Sequence, residues 1–257
     1  MSVFVTGDLH ANPMRLGIKY FGEQKQFSEN KDENIMIILG DFGFIWNREE
    51  ENEQEKYYLD WLECKHFTTV FVDGNHENHV RLASYPVKEW KNGKVHEVRP
   101  HVLHLMRGEV FYIDGKKFFA FGGARSHDIR DGILDYDDFE WREKAKSLEK
   151  QGRGMYRVKG LSWWEEELPT EKEMQHGLDI LKKHHNAVDF LITHSPSSSE
   201  LRWIDRKGLY KPDVFTDYLE KVKSMISYKK HLFGHMHINQ ILNEKDICLY
   251  QKIMRIL

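Results

Sequence analysis

The sequence predicts an α/β fold with the layer order α/β/β/α, and three features of the chain carry that expectation. Strand-like and helical runs alternate in the first third, an antiparallel stretch follows, and alternation resumes from Thr170. Ser2 to Val5, Ile35 to Leu39 and Phe67 to Val72 read as strands, separated by helical runs at Pro13 to Tyr20 and Glu51 to Cys64. That order implies parallel neighbours joined by right-handed crossovers. Val102 to Met106, Glu109 to Ile113 and Lys117 to Phe121 are short strands, the last two joined by the hairpin turn Asp114-Gly115. From Gly122 to Pro169 the pattern is irregular, with a polar helix around Phe139 to Lys150 and the aromatic pair Trp163-Trp164. Thr170 and Glu173 then form a capping box ahead of Met174, Leu178 and Leu181 on one helical face. Val188 to Ile192, Pro212 to Ile226 and His231 to Phe233 alternate again, and Ile238 to Leu242 with Ile247 to Gln251 close the chain as a hairpin. No repeat or flexible linker interrupts this order. A single domain over residues 1–257 is expected, with an inserted segment at about 122–169 on the substrate side.

Composition narrows the function classes. Apolar residues at 40% and charged residues at 31% suit a chain that folds alone. A net charge of -3 gives no global pull toward nucleic acid or anionic lipid, so no nucleic-acid-binding surface is evident and any phosphate is handled locally. Cys64 and Cys248 are too few and too far apart for a disulfide framework and are expected to be buried free thiols. The strand-like Val3-Phe4-Val5 leaves no room for a signal peptide, and the run Ile35 to Leu39 is far short of the roughly 20 residues of a membrane helix. The expectation is a cytoplasmic protein with no membrane partner; the residues say nothing of oligomeric state.

Five short blocks carry the chemistry: Thr6-Gly7-Asp8-Leu9-His10, Gly40-Asp41, Gly74-Asn75-His76-Glu77, Thr193-His194 and Gly234-His235-Met236-His237. Each follows an apolar strand-like run, and in open α/β sheets ligands bind at the carboxyl ends of strands, so the blocks are expected on one rim. Asp8 and His10, two apart in an extended strand end, would point the same way, and His235 and His237 repeat that spacing. Asp41 has two oxygens with which to bridge cations. Asn75 offers an amide oxygen while His76 stays free. Any one of these residues alone is weak evidence; together, carboxylate, amide and imidazole donors without thiolates suit Mn, Fe, Zn, Co or Ni in a catalytic site with open positions.

The ordered set D-x-H, GD, GNH[ED], H and GHxH, from Asp8 to His237, resembles the calcineurin-like metallophosphoesterase superfamily in its bacterial or phage-type branch. The resemblance implies a four-layer sandwich of two mixed sheets flanked by helices. It also implies two divalent ions, Mn2+ first among the candidates, one held by Asp8, His10 and His237, the other by Asn75, His194 and His235, with Asp41 bridging. His76 would then be the general acid toward a leaving alkoxide, with a metal-bridging hydroxide attacking a small phosphomono- or phosphodiester, nucleotide-type substrates being favoured. Serine/threonine protein phosphatases carry GDxVDRG where this chain has Gly40-Asp41-Phe42-Gly43-Phe44-Ile45-Trp46, so a second Asp and a phosphate-gripping Arg are missing. Asp73 and Glu77 are the candidates to orient His76. The loop Gly122 to Arg130 offers Arg125 and Arg130 as substrate-binding residues. Phe42, Phe44, Trp46 and Trp163-Trp164 either wall the site or pack the core. A protein phosphatase, a nuclease and a non-catalytic scaffold on the same fold are the alternatives.

Overall fold

Ile35, Ile37 and Leu39 alternate with Met36 and Ile38 along the second strand, yet all five are buried, so this strand needs apolar cover on both faces. The cover defines the architecture of the computed structural model, which describes residues 1–257. In chain order the strands are β1 (Ser2–Thr6), β2 (Asn34–Leu39), β3 (Thr68–Val72), β4 (Val87–Trp90), β5 (Gly93–Arg99), β6 (Val102–Leu105), β7 (Glu109–Ile113), β8 (Lys116–Phe121), β9 (Gly132–Asp135), β10 (Tyr156–Lys159), β11 (Phe190–Thr193), β12 (Lys230–Phe233), β13 (Gln240–Ile241), β14 (Asp246–Cys248) and β15 (Met254–Arg255). The helices are α1 (Glu53–Glu63), α2 (His79–Ser84), α3 (Trp141–Lys150), α4 (Glu171–Lys183), α5 (Ser198–Ile204) and α6 (Val214–Met225).

One sheet runs β15-β1-β2-β3-β6-β5-β4 and the other β13-β14-β12-β11-β8-β7. Their central strands are parallel and their outer ones antiparallel, so both sheets are mixed. Val3, Val5, Ile35, Ile37 and Val70 of the first sheet meet Phe118, Ala120, Ile192 and Leu232 of the second in the central core. On the outer face of the first sheet Met36, Ile38 and Phe71 pack on Leu59 and Leu62 of α1. On that of the second, Phe119 and Phe121 pack on Leu181 of α4 and on Phe215, Leu219 and Val222 of α6. The layers are therefore helix, sheet, sheet, helix, as expected. Asn52 opens α1 and Thr170 opens α4 through capping boxes, the second of which the sequence announced.

Several elements differ from expectation. Pro13 to Tyr20 is not an α-helix: Asn12 caps a single 3₁₀ turn at Pro13–Leu16, Gly17 leaves it extended, and a second 3₁₀ turn spans Gly22–Gln26. The hairpin β4–β5 was not foreseen, although its turn residues Lys91 and Asn92, at φ 49° and 71°, precede Gly93 in an Asn-Gly signal. The strand at Val102 is antiparallel to β5 but parallel to β3, so it joins the first sheet rather than the β7–β8 hairpin. The short α5 was also missed. The final hairpin is β13–β14, but the chain does not end there, since β15 returns to pair with β1 in the other sheet. Cys248 is buried as expected; Cys64 is exposed at the end of α1. The insertion contains α3 and a two-stranded parallel pair, β9–β10. No helix is long and apolar enough to cross a membrane.

Beneath the second sheet a buried polar network ties α5 to α6 and β12. Glu200 Oε1 accepts from Lys223 Nζ at 2.5 Å and His231 Nδ1 at 2.8 Å, and Oε2 from the Ser197 amide at 2.7 Å. Burial opposes ionisation of Glu200, but His231 and Lys223 prevail and hold its carboxyl well below the usual carboxylate range. The stabilisation is complete above the unfolded value of about 4.3 and is lost as pH falls through the lower folded value. The urea midpoint should fall between about pH 5 and pH 3, and fall less steeply in Glu200→Gln. Identical pH slopes in the two proteins would contradict this assignment.

Candidate metal centre

All five blocks leave parallel strands at the same end of the two sheets. Asp8 and His10 follow β1, Asp41 follows β2, Asn75 and His76 follow β3, His194 follows β11, and His235 and His237 follow β12. The loops are laced to one another: the Asp41 carbonyl accepts from the Leu9 and His10 amides at 3.0 and 2.8 Å, and the His194 carbonyl from Gly234 at 3.0 Å. Asp8 Oδ1 accepts from the His235 amide at 3.1 Å, and Asp41 Oδ1 from the His76 amide at 2.9 Å. His10, Asp41, His235 and His237 lie at φ 47°, 45°, 65° and 51°, a left-handed region costly for residues with a Cβ. The extended Asp8–His10 geometry expected from sequence is thus replaced by a tight turn, which swings His10 toward Asp41. Two glycines make the crowding possible. A Cβ on Gly40 would lie 2.2 Å from His194 Nδ1, and one on Gly234 would lie 2.3 Å from Asp8 Oδ1.

The donors fall into two groups whose ligand atoms lie within 4.8 Å of one another: Asp8, His10, Asp41 and His237, and Asp41, His194 and His235. Asp41 belongs to both. His10 and His237 face each other Nε2 to Nε2 at 2.9 Å, and Asp8 Oδ2 is 3.2 Å from His237 Nε2. His194 Nδ1 donates to the Leu39 carbonyl at 2.6 Å, which turns Nε2 inward, 3.2 Å from Asp41 Oδ1.

These residues fit divalent cations, on two physical grounds. Asp8 Oδ2, Asn75 Oδ1 and His194 Nε2 are buried without a hydrogen-bond partner, a costly condition that a cation relieves. The site also takes up protons to balance its carboxylates. Against burial, Asp41 draws the His194 imidazole up to about 10, and burial with Asp41 and Asp73 nearby pushes the Glu77 carboxyl up to about 8. Protons here occupy places that cations would take, since ligating imidazoles and carboxylates must be deprotonated.

His76 lies beside the donors, its ring 4.7 Å from that of His10. Neither expected orienting partner reaches it. Asp73 accepts from Arg107 Nη2 at 2.5 Å and from His104 Nε2 at 3.1 Å, while Glu77 accepts from the Phe42 and Gly74 amides at 2.6 and 2.9 Å. Arg157 Nη2 instead donates to His76 Nε2 at 3.0 Å. Asp128 grips the same guanidinium through Nε at 2.6 Å and Nη2 at 2.8 Å, and the Ser162 carbonyl accepts from Nη1 at 2.8 Å. Because a guanidinium only donates, the His76 proton sits on Nδ1. Burial, reinforced by Arg157 against the pull of Asp41, lowers His76 to about 4, so the resting ring is neutral. Arg157 was not singled out from sequence; its strand β10 gave no motif, and only its place in the irregular insertion hinted at a role.

The aromatic residues after Asp41 divide. Phe42 is core and Phe44, also buried, backs the cavity beside His10 and His76, whereas Trp46 stacks on His76 with centroids 5.6 Å apart and meets the buried Trp164 edge-on at 5.3 Å. Arg125 and Arg130 do not line the mouth of about 260 Å³ where Asp41, Asn75, His76 and His235 converge; Arg157 does. They border the neighbouring cavity.

A family model described as calcineurin-like phosphoesterase matches residues 1–239. No curated protein matches the chain in sequence. Among solved structures, phosphopantetheinyl hydrolase from Mycobacterium tuberculosis is similar with a TM-score of 0.43 and 15% identity, over 97% of this chain and 88% of that one.

If the orphaned donors take cations, Mn2+ should raise the melting temperature and a chelator should lower it. Saturation at a hundred times Kd adds about 2.7 kcal/mol per site. Asp41→Asn should lose most of the Mn2+ response in differential scanning calorimetry, and an unchanged response would contradict the assignment.

Proposed function

The chain belongs to the calcineurin-like phosphoesterase family and is a metal-dependent phosphoric ester hydrolase, and from that premise we propose a binuclear centre that hydrolyses small, nucleotide-type phosphate esters. The observation that carries this reading is the pair of donor groups sharing Asp41. Asp8, His10 and His237 would hold one ion, Asn75, His194 and His235 the other, and Asp41 both. Two cations so held would supply charge to polarise a phosphoryl group and to make a water acidic enough to act as nucleophile near neutral pH, manganese being the first metal to test.

The chain's own residues supply the rest. Arg157, immobilised by Asp128, presents its guanidinium at the mouth and takes the phosphate grip that the Gly40 to Trp46 block lacks. Burial, with a lesser push from Arg157, keeps His76 neutral at rest; the negative charge of an arriving phosphate works against both, so the ring can hold and deliver a proton to the departing oxygen. Trp46 covers one face of His76 and limits where the ring can move.

Beside His10 and His76 lies a cavity of about 280 Å³ walled by Phe44, Trp46 and Tyr58, with the amides of Asn47, Asn52 and Gln54 at its rim. Aromatic walls with amide groups suit a planar heterocycle, which supports a nucleotide-type leaving group on the side where His76 delivers its proton.

Hydrolysis of a chromogenic phosphate diester with Mn2+ tests the reading. Asp41→Asn should abolish turnover, and His76→Ala should lower kcat by roughly 10²-fold or more. Arg157→Lys should raise KM and lower kcat together, since a point charge does not reproduce the planar guanidinium's hold on Asp128, Ser162 and His76. Wild-type rates in both Asp41→Asn and His76→Ala would overturn it.

A further inference from the structure

The mouth of the centre adjoins a second cavity of about 420 Å³, with which it shares His127, Tyr210 and His235 and which has no lining residue in common with the Trp46 cavity. His127 and Tyr210 stack at 3.9 Å between centroids and form the common wall. Three cations border the second cavity: Arg125, Arg130 and Lys211. All three are exposed, and Asp213 is the one carboxylate in the same lining, so the lining stays net positive. Asp128 is bound by Arg157 and Asp131 lies 3.5 Å from Arg153. Asp213 caps α6, accepting from the Phe215 and Thr216 amides at 2.9 Å, and Asp205 accepts from the Tyr210 amide at 2.5 Å.

An exposed cation on a flat surface contributes little. These three surround a concavity with apolar walls from Leu201, Leu209 and Met155, where the field is focused and an incoming anion is partly desolvated. The position relative to His76 gives this charge a meaning. His76 and the aromatic cavity mark the leaving-group side, so a group in the basic cavity belongs to the part of the ester that stays on phosphorus. A monoester has no such part.

Resting on the phosphoesterase reading above, we propose that the substrate is a phosphodiester whose retained arm carries a second anionic group, a phosphate or carboxylate, seated among Arg125, Arg130 and Lys211. The reaction is then hydrolysis in which water forms the new P–O bond, the P–O bond on the His76 side breaks, and the departing alkoxide takes up the proton. The product is a monoester that still carries the anionic arm. On this reading Arg125 and Arg130 bind substrate, as their sequence suggested, but they recognise its second anion and leave the scissile phosphate to Arg157.

Three p-nitrophenyl phosphodiesters with ethyl, choline or 2-phosphoethyl retained arms test this with Mn2+-loaded protein. The expected kcat/KM order is phosphoethyl, ethyl, choline, the first exceeding the last by roughly ten-fold or more, as charge-assisted contacts require. The preference should collapse in Arg125→Ala/Arg130→Ala and weaken in Lys211→Ala. A metal-free readout comes from calorimetry of inorganic phosphate binding to the chelated protein, where the same double variant should bind roughly ten-fold more weakly. Equal rates on the three esters, or a double variant that keeps the preference and binds phosphate as the wild type does, would overturn the proposal. Hydrolysis of none of the three would instead sink the phosphoesterase reading beneath it.

Discussion

The structure depends on a buried negative charge that the protein balances by drawing a proton onto His194. Asp41 is almost fully buried, sits at φ 45°, and belongs to both donor groups. Burial disfavours its charge, yet His194, His76 and His10 hold its carboxyl well below the usual carboxylate range. Its backbone carbonyl fastens the first loop through Leu9 and His10, and its side chain fastens the third through the His76 amide. A carboxylate so placed fixes three loops at once, and cations on either side would turn the electrostatic cost of its burial into a binding energy.

The two-sheet architecture is what permits this concentration of charge. Four parallel strands in each sheet deliver their carboxyl ends toward one rim, so five loops from distant parts of the sequence meet there without any long excursion. The cost appears as local strain: four of the donors adopt left-handed backbone conformations, and Gly40 and Gly234 surrender their Cβ positions to His194 and Asp8. The central core of β-branched and aromatic side chains makes those turns affordable by holding the strand ends rigid.

The convergence of the five blocks was legible in the sequence because its information is local: each block is a few residues long and directly follows an apolar strand, so identity and placement come together. The layer order was legible for the same reason, since alternation along β2 and β8 sorts side chains between two faces. What escaped depends on distant pairing. Arg157, on β10, meets His76 from 81 residues away, with its guanidinium held by Asp128 and Ser162. Asp73 is adjacent in sequence to the third block but is drawn aside by Arg107 and His104, which no local pattern reveals. Arg125 and Arg130 were found as candidates, but not their cavity, because the turn of their loop is set by the Ser126 amide donating to Glu167. The Pro13 segment failed as a helix because Asn12 and Gly17 bound it within one 3₁₀ turn, a limit that helical periodicity does not report.

The measurement that bears most directly on this account is the number of metal ions bound per chain, by elemental analysis after saturation with Mn2+ and removal of free metal. Two ions per chain are expected in the wild type, about one in Asn75→Ala/His235→Ala, and a loss from both sites in Asp41→Asn. A single ion in the wild type, or two retained in Asp41→Asn, would contradict the shared role of Asp41.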